Sequence, residues 1–291
     1  MENGMQFNTP LRYPGGKAKL TNFIKLVFEE NDLLDGHYVE PYAGGAGIAL
    51  ALLYQSYVNT IHLNDLNPAV YAFWHSVLSN NEALCRLIHD TPVTMDEWVK
   101  QRNVMLNPKR HDKLALGFAT FFLNRTNRSG ILMGGVIGGK GQGGEWKLDV
   151  RFNKPDLINR VEKLALYSSR IKLYNLDAAN LILTVLPNLP TKTLVYLDPP
   201  YYVKGKGLYQ NHYTHEDHKA IAKQVQKEIK LPWIVSYDYA PEILEMYTKS
   251  RSIVYGLNYS AQDKYEGMEA MFFSKKLVIP DVANPSKLKV A

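Results

Sequence analysis

The sequence predicts an α/β fold, in which short buried strands alternate with helices around a mostly parallel sheet. Residues 194–197 form an apolar run that is too short for a helix and is typical of a buried strand. Residues 37–40 read as another strand, followed by a glycine-rich loop and an apolar helix at 48–54, the unit that opens many nucleotide-binding sheets. The alternation stops at residues 71–160, so we expect a largely helical insert within the sheet domain.

The composition is typical of a soluble globular protein, with 46% hydrophobic and 21% charged residues in a chain of 291. Residues 1–30 carry scattered charges and lack the apolar region of a signal peptide. The longest nearly apolar run, at 43–54, is too short for a membrane span. Cys85 is the single cysteine, which excludes an internal disulfide and a cysteine-based zinc cluster. We therefore expect a cytoplasmic protein.

The charge is unevenly distributed along the chain. Residues 100–172 contain 15 Lys and Arg against 5 Asp and Glu, whereas the rest of the chain has 19 against 23. The whole positive excess, a formal net charge of +6, therefore comes from one middle block. Such a block is typical of a polyanion-binding insert, although a basic face that only contacts solvent would have the same composition.

A tight glycine turn precedes the first predicted helix, at 19–30. It contains Tyr13, Pro14, Gly15, Gly16 and Lys17. Glycines let the backbone approach a ligand closely, and the lysine can bind an anionic group there. Pro-Gly-Gly is also an ordinary turn, so this motif alone decides nothing.

The second glycine loop joins the strand at 37–40 to the helix that follows. It runs Pro41, Tyr42, Ala43, Gly44, Gly45, Ala46, Gly47. A glycine loop at a helix N-terminus permits close approach of a ligand. The loop departs from the G-x-G-x-x-G pattern of dinucleotide sites. A cofactor with a nucleoside but no pyrophosphate is therefore a better prediction than NAD.

Asp65 follows the predicted strand at 60–63 and lies 20 residues after Gly45. An acid at this separation is placed to accept hydrogen bonds from ribose hydroxyls. The alternative is that Asn64, Asp65 and Pro68 only terminate the strand.

The insert contains predicted helices at 70–89, 95–105 and 113–123, and then an Asn- and Arg-rich turn. Eight of the fifteen residues from 130 to 144 are glycine, which predicts a mobile loop or a hairpin tip. Arg and Asn side chains can pair with base edges, and Lys and Arg with phosphates. The candidate residues are Arg125, Asn127, Arg128, Lys140, Lys147 and Arg151. A flexible linker is the alternative for the glycine-rich run.

The α/β alternation resumes at 170–177, a strand that ends in Asp177. The further predicted strands are 194–197, 233–237, 252–255 and 270–273, and the predicted helices are 178–183, 214–230 and 241–249. His215 and His218 at a helix start are interpreted as surface histidines, since no third metal ligand is evident. Residues 279–291 are interpreted as a frayed tail.

Asp198, Pro199, Pro200 and Tyr201 follow the strand at 194–197. The prolines fix φ and remove two N–H donors, so Asp198 and Pro199 offer a carboxylate and a carbonyl in a stiff turn. Ligands of α/β proteins bind at this carboxyl edge of the sheet. The alternatives are a turn-capping acid, a proline-rich ligand segment, and tyrosines of an ordinary core.

With these motifs in order, the sequence resembles the Dam-like, alpha-group DNA adenine-N6 methyltransferases. The resemblance rests on Tyr13-Pro14-Gly15-Gly16-Lys17, Glu40-Pro41-Tyr42-Ala43-Gly44-Gly45, Asn64-Asp65-Leu66-Asn67, Leu123-Asn124-Arg125-Thr126 and Asp198-Pro199-Pro200-Tyr201. It implies a Rossmann-like class I methyltransferase sheet of seven strands. The implied catalytic domain comprises 1–70 and 161–291, and the implied target-recognition domain comprises 71–160. Tyr13 and Tyr42 stand where the family usually has Trp and Phe, which keeps an aromatic face.

The resemblance also implies the chemistry. Asp198 and the Pro199 carbonyl accept hydrogen bonds from the N6 amino group of an adenine flipped out of duplex DNA, with Pro200 stiffening the turn and Tyr201 stacking on the base. The methyl donor is S-adenosyl-L-methionine, which becomes S-adenosyl-L-homocysteine, and no metal is required. The implied cofactor-binding residues are Tyr13, Lys17, Pro41, Tyr42, Gly44, Gly45, Asp65, Asp177 and Asp198.

The implied partner is double-stranded DNA. A cognate restriction endonuclease that acts on the same site is a further candidate partner, and the sequence leaves open whether one accompanies the protein. Two rival functions remain at this stage. One is an RNA adenine-N6 methyltransferase, since Asp-Pro-Pro-Tyr does not distinguish the two nucleic acids. The other is a catalytically silent protein that binds DNA or senses the cofactor.

Overall fold

A computed structural model describes residues 9–12, 17–203, 213–259 and 265–288. The chain divides into two compact units. The first comprises Met1–Gly16 and Asn67–Leu173. It is called the recognition unit below, after the role that the sequence resemblance implies for residues 71–160. The second comprises Lys17–Leu66 and Tyr174–Ala291. It is called the catalytic unit, after the role that the resemblance implies for residues 1–70 and 161–291.

Seven strands form one sheet, as the sequence predicts. They are β1 (Gly36–Glu40), β2 (Val58–Asn64), β3 (Ile171–Tyr174), β4 (Thr193–Leu197), β5 (Trp233–Asp238), β6 (Arg251–Tyr259) and β7 (Tyr265–Phe273). Their order across the sheet is β3-β2-β1-β4-β5-β7-β6. Strand β1 pairs in parallel with β2 and β4, and β4 with β5, whereas β7 is antiparallel to β5 and β6. The carboxyl ends of β1, β4 and β5 therefore lie at one edge of the sheet.

Among the described residues, five α-helices belong to the catalytic unit. They are α1 (Thr21–Glu30), α2 (Gly47–Tyr54), α8 (Ala178–Thr184), α9 (His215–Glu228) and α10 (Pro241–Met246). Helix α9 shows how the sequence specifies such an element. Thr214 and Asp217 form a capping box at its start, and Ile221 and Val225 are buried on one face. That face belongs to a hydrophobic core shared with Leu197 of β4 and Val235 of β5.

The other α-helices of the described residues lie in the recognition unit. They are α3 (Pro68–Ser79), α4 (Asn81–Asp90), α5 (Met95–Leu106), α6 (Lys113–Thr126) and α7 (Lys154–Ala165). Helices α3 and α6 approach closely because Gly117 has no side chain. A Cβ there would lie 2.4 Å from Ser76 Oγ and 2.6 Å from the Ala72 carbonyl oxygen. None of the helices among the described residues is long and apolar enough to cross a membrane.

Three sequence expectations differ from the structure of the recognition unit. The single helix expected at 70–89 is two helices, because the chain leaves helical geometry at Asn80 (φ −133°, ψ 35°). Helix α7 was not expected, although Asn153 caps it and a proline follows in its first turn. The glycine-rich run is a series of turns in which the Gln142 amide donates to the Ile137 and Gly139 carbonyls.

The expectation of a frayed tail at 279–291 is wrong for the residues up to Leu288, which are held against the rest of the chain. The Asn22 amide donates to the Leu288 carbonyl over 2.9 Å, and the Ser286 hydroxyl donates to the Gly256 carbonyl over 2.9 Å. Pro285 between them is buried. Residues 289–291 lie outside the described part of the chain.

Candidate active site

Asp198 follows β4 directly and is held by the neighbouring strand β5. Its Oδ1 accepts a hydrogen bond of 2.8 Å from the Ser236 hydroxyl, which also pairs with the Tyr196 hydroxyl over 2.8 Å. Pro199 ends the strand because it cannot donate to the sheet. The Asp198 side chain keeps 24% of its surface exposed. The carboxylate is therefore fixed in direction but still accessible.

A buried ion pair lies beside this carboxylate. Lys17 Nζ is 2.6 Å from Glu269 Oε1 and 3.5 Å from Asp198 Oδ1, and the Lys17 and Glu269 side chains are 3% and 0% exposed. The Tyr255 hydroxyl donates to Glu269 Oε2 over 2.8 Å, and the Tyr201 hydroxyl is 3.3 Å from Glu269 Oε1. Glu269 thus anchors the lysine. Sequence reasoning missed Glu269 because it lies 252 residues from Lys17 in an unremarkable strand.

The protonation of this cluster follows from burial and charge. Burial raises the pKa of Asp198 to about 6; the Lys17 charge opposes this rise and the Glu269 charge adds to it. Burial alone would lower the pKa of Lys17, but Asp198 and Glu269 reverse that effect and hold it well above its ordinary value. At pH 7 Lys17 is therefore charged and Asp198 is mostly ionised.

Tyr201 takes a different position from the predicted one. Its ring is 3% exposed, and Lys17 Nζ lies 5.0 Å from the ring centroid. A ring covered in this way offers almost no face to a base. In this conformation, the burial of Tyr201 does not support the predicted stacking, and its hydroxyl belongs to the Lys17 and Glu269 cluster.

The glycine loop after β1 has the backbone expected of a close ligand approach. Gly44 (φ 46°) and Ala46 (φ 51°) both adopt left-handed conformations just before α2. Asp65 Oδ2 accepts the Gly44 N–H over 2.9 Å, which joins the carboxyl end of β2 to the loop. The N-cap residue of α2 is Ala46, whose methyl side chain accepts no hydrogen bond from the first turn. These features fit a small nucleoside-containing ligand at the helix N-terminus.

Buried Glu40 and Asn64, at the carboxyl ends of β1 and β2, hold the loop through hydrogen bonds. Glu40 Oε1 accepts the Ala49 N–H over 3.2 Å, and burial raises the pKa of Glu40 to about 8, although the Ala49 N–H and the neighbouring Tyr38 side chain oppose this rise. Asn64 donates to the carbonyls of Pro41 and Leu176, both over 2.9 Å. Both residues lie in the motifs quoted above, yet their role as supports was not foreseen.

Two further predicted cofactor residues lie in the catalytic unit with other partners. The Tyr42 and Tyr213 hydroxyls are 3.0 Å apart. Asp177 caps α8 by accepting the Ala179 N–H over 2.9 Å. Tyr13 lies outside the described residues.

His218 corrects the expectation of a surface histidine. It is 0% exposed, and its ring lies 5.3 Å from the rings of both Tyr202 and Tyr213. Its Nδ1 is 3.2 Å from the Tyr237 hydroxyl. Burial lowers the pKa of His218 to about 4, so the ring is neutral at physiological pH. The described residues contain no group of three or more His, Cys, Asp or Glu that could hold a metal ion.

In the recognition unit, two of the six predicted nucleic-acid contacts are buried. Arg125 is 8% exposed and donates from both Nε and Nη2 to the Pro10 carbonyl. Asn127 is 0% exposed; it accepts the Trp98 indole N–H over 2.7 Å and donates to the Ile131 and Leu132 carbonyls. Burial does not support direct base contacts by Arg125 and Asn127, because their polar groups already pair with the backbone and with Trp98.

The other four predicted contacts, Arg128, Lys140, Lys147 and Arg151, are exposed. Lys147 also donates to the Gln142 carbonyl over 2.6 Å, which keeps it against the glycine-rich turns. Trp146, which the sequence reasoning did not select, is 60% exposed beside it. The recognition unit therefore presents cations and one large aromatic ring to solvent.

The fold and the site define the class of this protein. The sheet has seven, mostly parallel strands, with a glycine loop after β1 and an Asp-Pro-Pro-Tyr turn after β4. Together with the family match that follows, this makes the protein an S-adenosylmethionine-dependent methyltransferase. The model of the D12 class N6 adenine-specific DNA methyltransferase family matches residues 13–260, most of the chain. The protein therefore belongs to this family, as the sequence motifs predict.

The solved structures that match this chain are only distantly similar in sequence. A candidate RNA methyltransferase from Pyrococcus horikoshii is 10% identical with a TM-score of 0.42, covering 91% of this chain and 84% of that chain. The rRNA methyltransferase AviRa from Streptomyces viridochromogenes is 12% identical with a TM-score of 0.38, covering 90% and 85%. A comparison with curated proteins gives no match.

Proposed function

We propose that the protein transfers a methyl group from S-adenosylmethionine to N6 of an adenine flipped out of duplex DNA. The observation that carries the proposal is the Asp198 carboxylate, which is fixed by Ser236, partly exposed and adjacent to the Pro199 carbonyl. The family description, which specifies adenine-N6 and DNA, supports the same substrate.

The glycine loop of the catalytic unit is the proposed cofactor site. Pro41, Tyr42, Gly44 and Gly45 would surround the nucleoside, with Asp65 and Asp177 as acceptors for its hydroxyl and amino groups. The left-handed residues before α2 support this assignment, since they let backbone amides face a ligand. When bound, the cofactor supplies an electrophilic methyl group.

Asp198 and Pro199 are the proposed acceptors for the two hydrogens of the target amino group. The N6 lone pair of adenine is delocalised into the ring, which makes the amine a poor nucleophile. Two acceptors on the same nitrogen favour a tetrahedral geometry that frees this lone pair. The Asp198 carboxylate also opposes the positive charge that grows on N6 in the transition state. The Lys17 charge favours the ionised Asp198 carboxylate, and Glu269 holds Lys17 in place beside it.

The recognition unit is the proposed DNA-binding part. Residues 100–172 carry 15 basic and 5 acidic residues, and Arg128, Lys140, Lys147 and Arg151 are exposed. Exposed cations in this number favour a polyanion, and Arg128 in the Asn-rich turn is the candidate for base contact.

A labelled methyl-transfer assay tests the proposal. Duplex DNA and RNA of the same sequence are each incubated with the protein and S-adenosylmethionine carrying a labelled methyl group. Label in the DNA, recovered as N6-methyladenine, is the expected result. Label in the RNA alone would favour an RNA adenine methyltransferase, and label in neither would favour a silent binding protein.

A further inference from the structure

The segment after the two prolines depends on hydrogen-bond acceptors from elsewhere in the chain. Pro199 and Pro200 have no N–H groups, so the backbone cannot donate hydrogen bonds that would hold the turn at these residues. The N–H groups of Tyr202 and Val203, which come shortly after, both donate to one side chain. Asp238 Oδ1 accepts from Tyr202 over 2.8 Å, and Asp238 Oδ2 accepts from Val203 over 2.9 Å.

Asp238 is placed for this by strand β5. It is the last residue of β5, and β5 pairs in parallel with β4, the strand that leads into the turn. Ser236, two residues earlier, points to the same side of the sheet and holds Asp198 Oδ1 over 2.8 Å. One strand therefore holds the turn on both sides of the proline pair, through Asp198 before it and through Tyr202 and Val203 after it.

The surroundings of Asp238 strengthen this attachment. Asp238 is 3% exposed, so water competes little for its two hydrogen bonds. A carboxylate that accepts two backbone N–H groups forms charge-assisted bonds, which are stronger than bonds between neutral groups. The buried His218 ring packs 5.3 Å from the Tyr202 ring on the same segment. The residue that Asp238 holds is therefore also held by packing.

We propose that Asp238 is a positioning residue for methyl transfer: it fixes the Pro199 carbonyl and Asp198 relative to each other by clamping the Tyr202 and Val203 amides. The inference rests on the proposed function, because the positioned atoms are the proposed acceptors for the adenine amino group. A carboxylate is needed because its two oxygens accept both N–H groups. An asparagine has one acceptor oxygen, and its NH₂ group would face a backbone donor.

The first test is the isosteric variant Asp238→Asn. We expect kcat to fall about 10- to 100-fold, since small displacements of reacting groups cost rates of this order. The affinities for S-adenosylmethionine and for DNA should stay within about 2-fold of wild type, because transition-state geometry changes while ground-state binding does not. Asp112→Asn is the matched control. Asp112 also accepts a backbone N–H, that of Ala115 over 2.7 Å, and its variant should keep the wild-type kcat.

The second test does not depend on activity. Amide hydrogen exchange of the free protein should be slow at Tyr202 and Val203 in wild type and fast in Asp238→Asn. Val203→Pro removes one donor and leaves Asp238 intact; the Val203 side chain is 62% exposed, so its loss disturbs little packing. If Asp238 acts through this amide, adding Val203→Pro to Asp238→Asn should lower kcat no further.

The outcomes separate this inference from the proposed function. If wild type methylates duplex DNA and Asp238→Asn does so at the same rate, the positioning role is wrong and the function stands. A variant that loses cofactor affinity in parallel with kcat also overturns the positioning role. If wild type methylates no adenine, the function fails, and the exchange rates at residues 202 and 203 still decide whether the clamp exists.

Discussion

The two units use their charged residues in opposite ways. In the catalytic unit, Lys17 and Glu269 are buried, lie 2.6 Å apart and act on the neighbouring Asp198. In the recognition unit, Arg128 and Lys140 are exposed. Buried, paired charges hold one carboxylate in one place, whereas exposed cations suit an extended polyanion. The comparison teaches that position and burial, more than residue type, separate the residues proposed for chemistry from those proposed for binding.

The largest effect is expected at Asp198. Asp198→Ala removes the proposed acceptor and should lower methyl transfer by about 100- to 1000-fold or more, the range found when one transition-state partner is deleted. Cofactor affinity, measured by calorimetry, should fall less than the rate. A variant that methylates DNA near the wild-type rate would show that another group does the chemistry.

Glu269→Gln tests how much the buried ion pair between Lys17 and Glu269 contributes to stability and to activity. The substitution leaves the Lys17 charge without its nearest partner, so the free energy of unfolding should drop by about 3–5 kcal/mol. Methyl transfer should fall as well, because Lys17 would then engage Asp198 more closely. Denaturant unfolding measures the first effect.

The matched control is Glu82→Gln, which breaks the exposed pair between Glu82 and Arg86 in α4. Exposed pairs contribute little to stability, so unfolding should hardly change. Equal losses for the two variants would contradict the distinction between buried and exposed charges.

The pH dependence of the rate reports on Asp198. The ionised carboxylate is the stronger acceptor for an N6–H group and the form that opposes the positive charge growing on N6, and burial raises the pKa of Asp198 from 3.8 to about 6. The single-turnover rate should therefore fall about tenfold per pH unit below 6 and level off above 7. A rate that stays constant down to pH 5 would mean that the Asp198 pKa is not raised.

Arg128 and Arg125 provide a paired test within the recognition unit. Arg128→Ala should weaken or relax DNA recognition by about 5- to 100-fold, as expected for a lost base contact, with normal stability. Arg125→Ala should mainly lower the melting temperature, because the buried guanidinium binds the Pro10 carbonyl. Unchanged affinity and site preference for the Arg128 variant in a DNA titration would remove it from the proposed interface.

The smallest effect is expected at Lys140. Because this side chain is exposed, we expect it to neutralise one phosphate. Lys140→Ala should then reduce the slope of log affinity against log salt by about 1. An identical slope for wild type and variant, measured across several salt concentrations, would exclude this contact.

Local patterns made much of the fold predictable. Short apolar runs and the glycine loop identify the strands and the sheet edge, because the length of a strand and the type of a turn depend on residues that are adjacent in sequence. The proline pair after Asp198 predicts the end of β4 for the same reason. The break at Asn80 was missed because apolar periodicity continues across it from α3 into α4.

The supports of the site were not predictable in this way. Glu269 lies 252 residues from Lys17, and Asp238 lies 36 residues from Tyr202, so only the strand order brings them together. Burial also depends on the whole fold. His218 was expected at the surface and Arg125 at a base edge, yet packing encloses both side chains.

DNA from cells that express the protein tests the central claim most directly. Sequencing with detection of N6-methyladenine should show the modification at one recurring sequence in cells with wild type, and none above background in cells with Asp198→Ala. Absence of N6-methyladenine with wild type, or equal modification with both proteins, would contradict the claim that Asp198 directs methyl transfer to adenine in DNA.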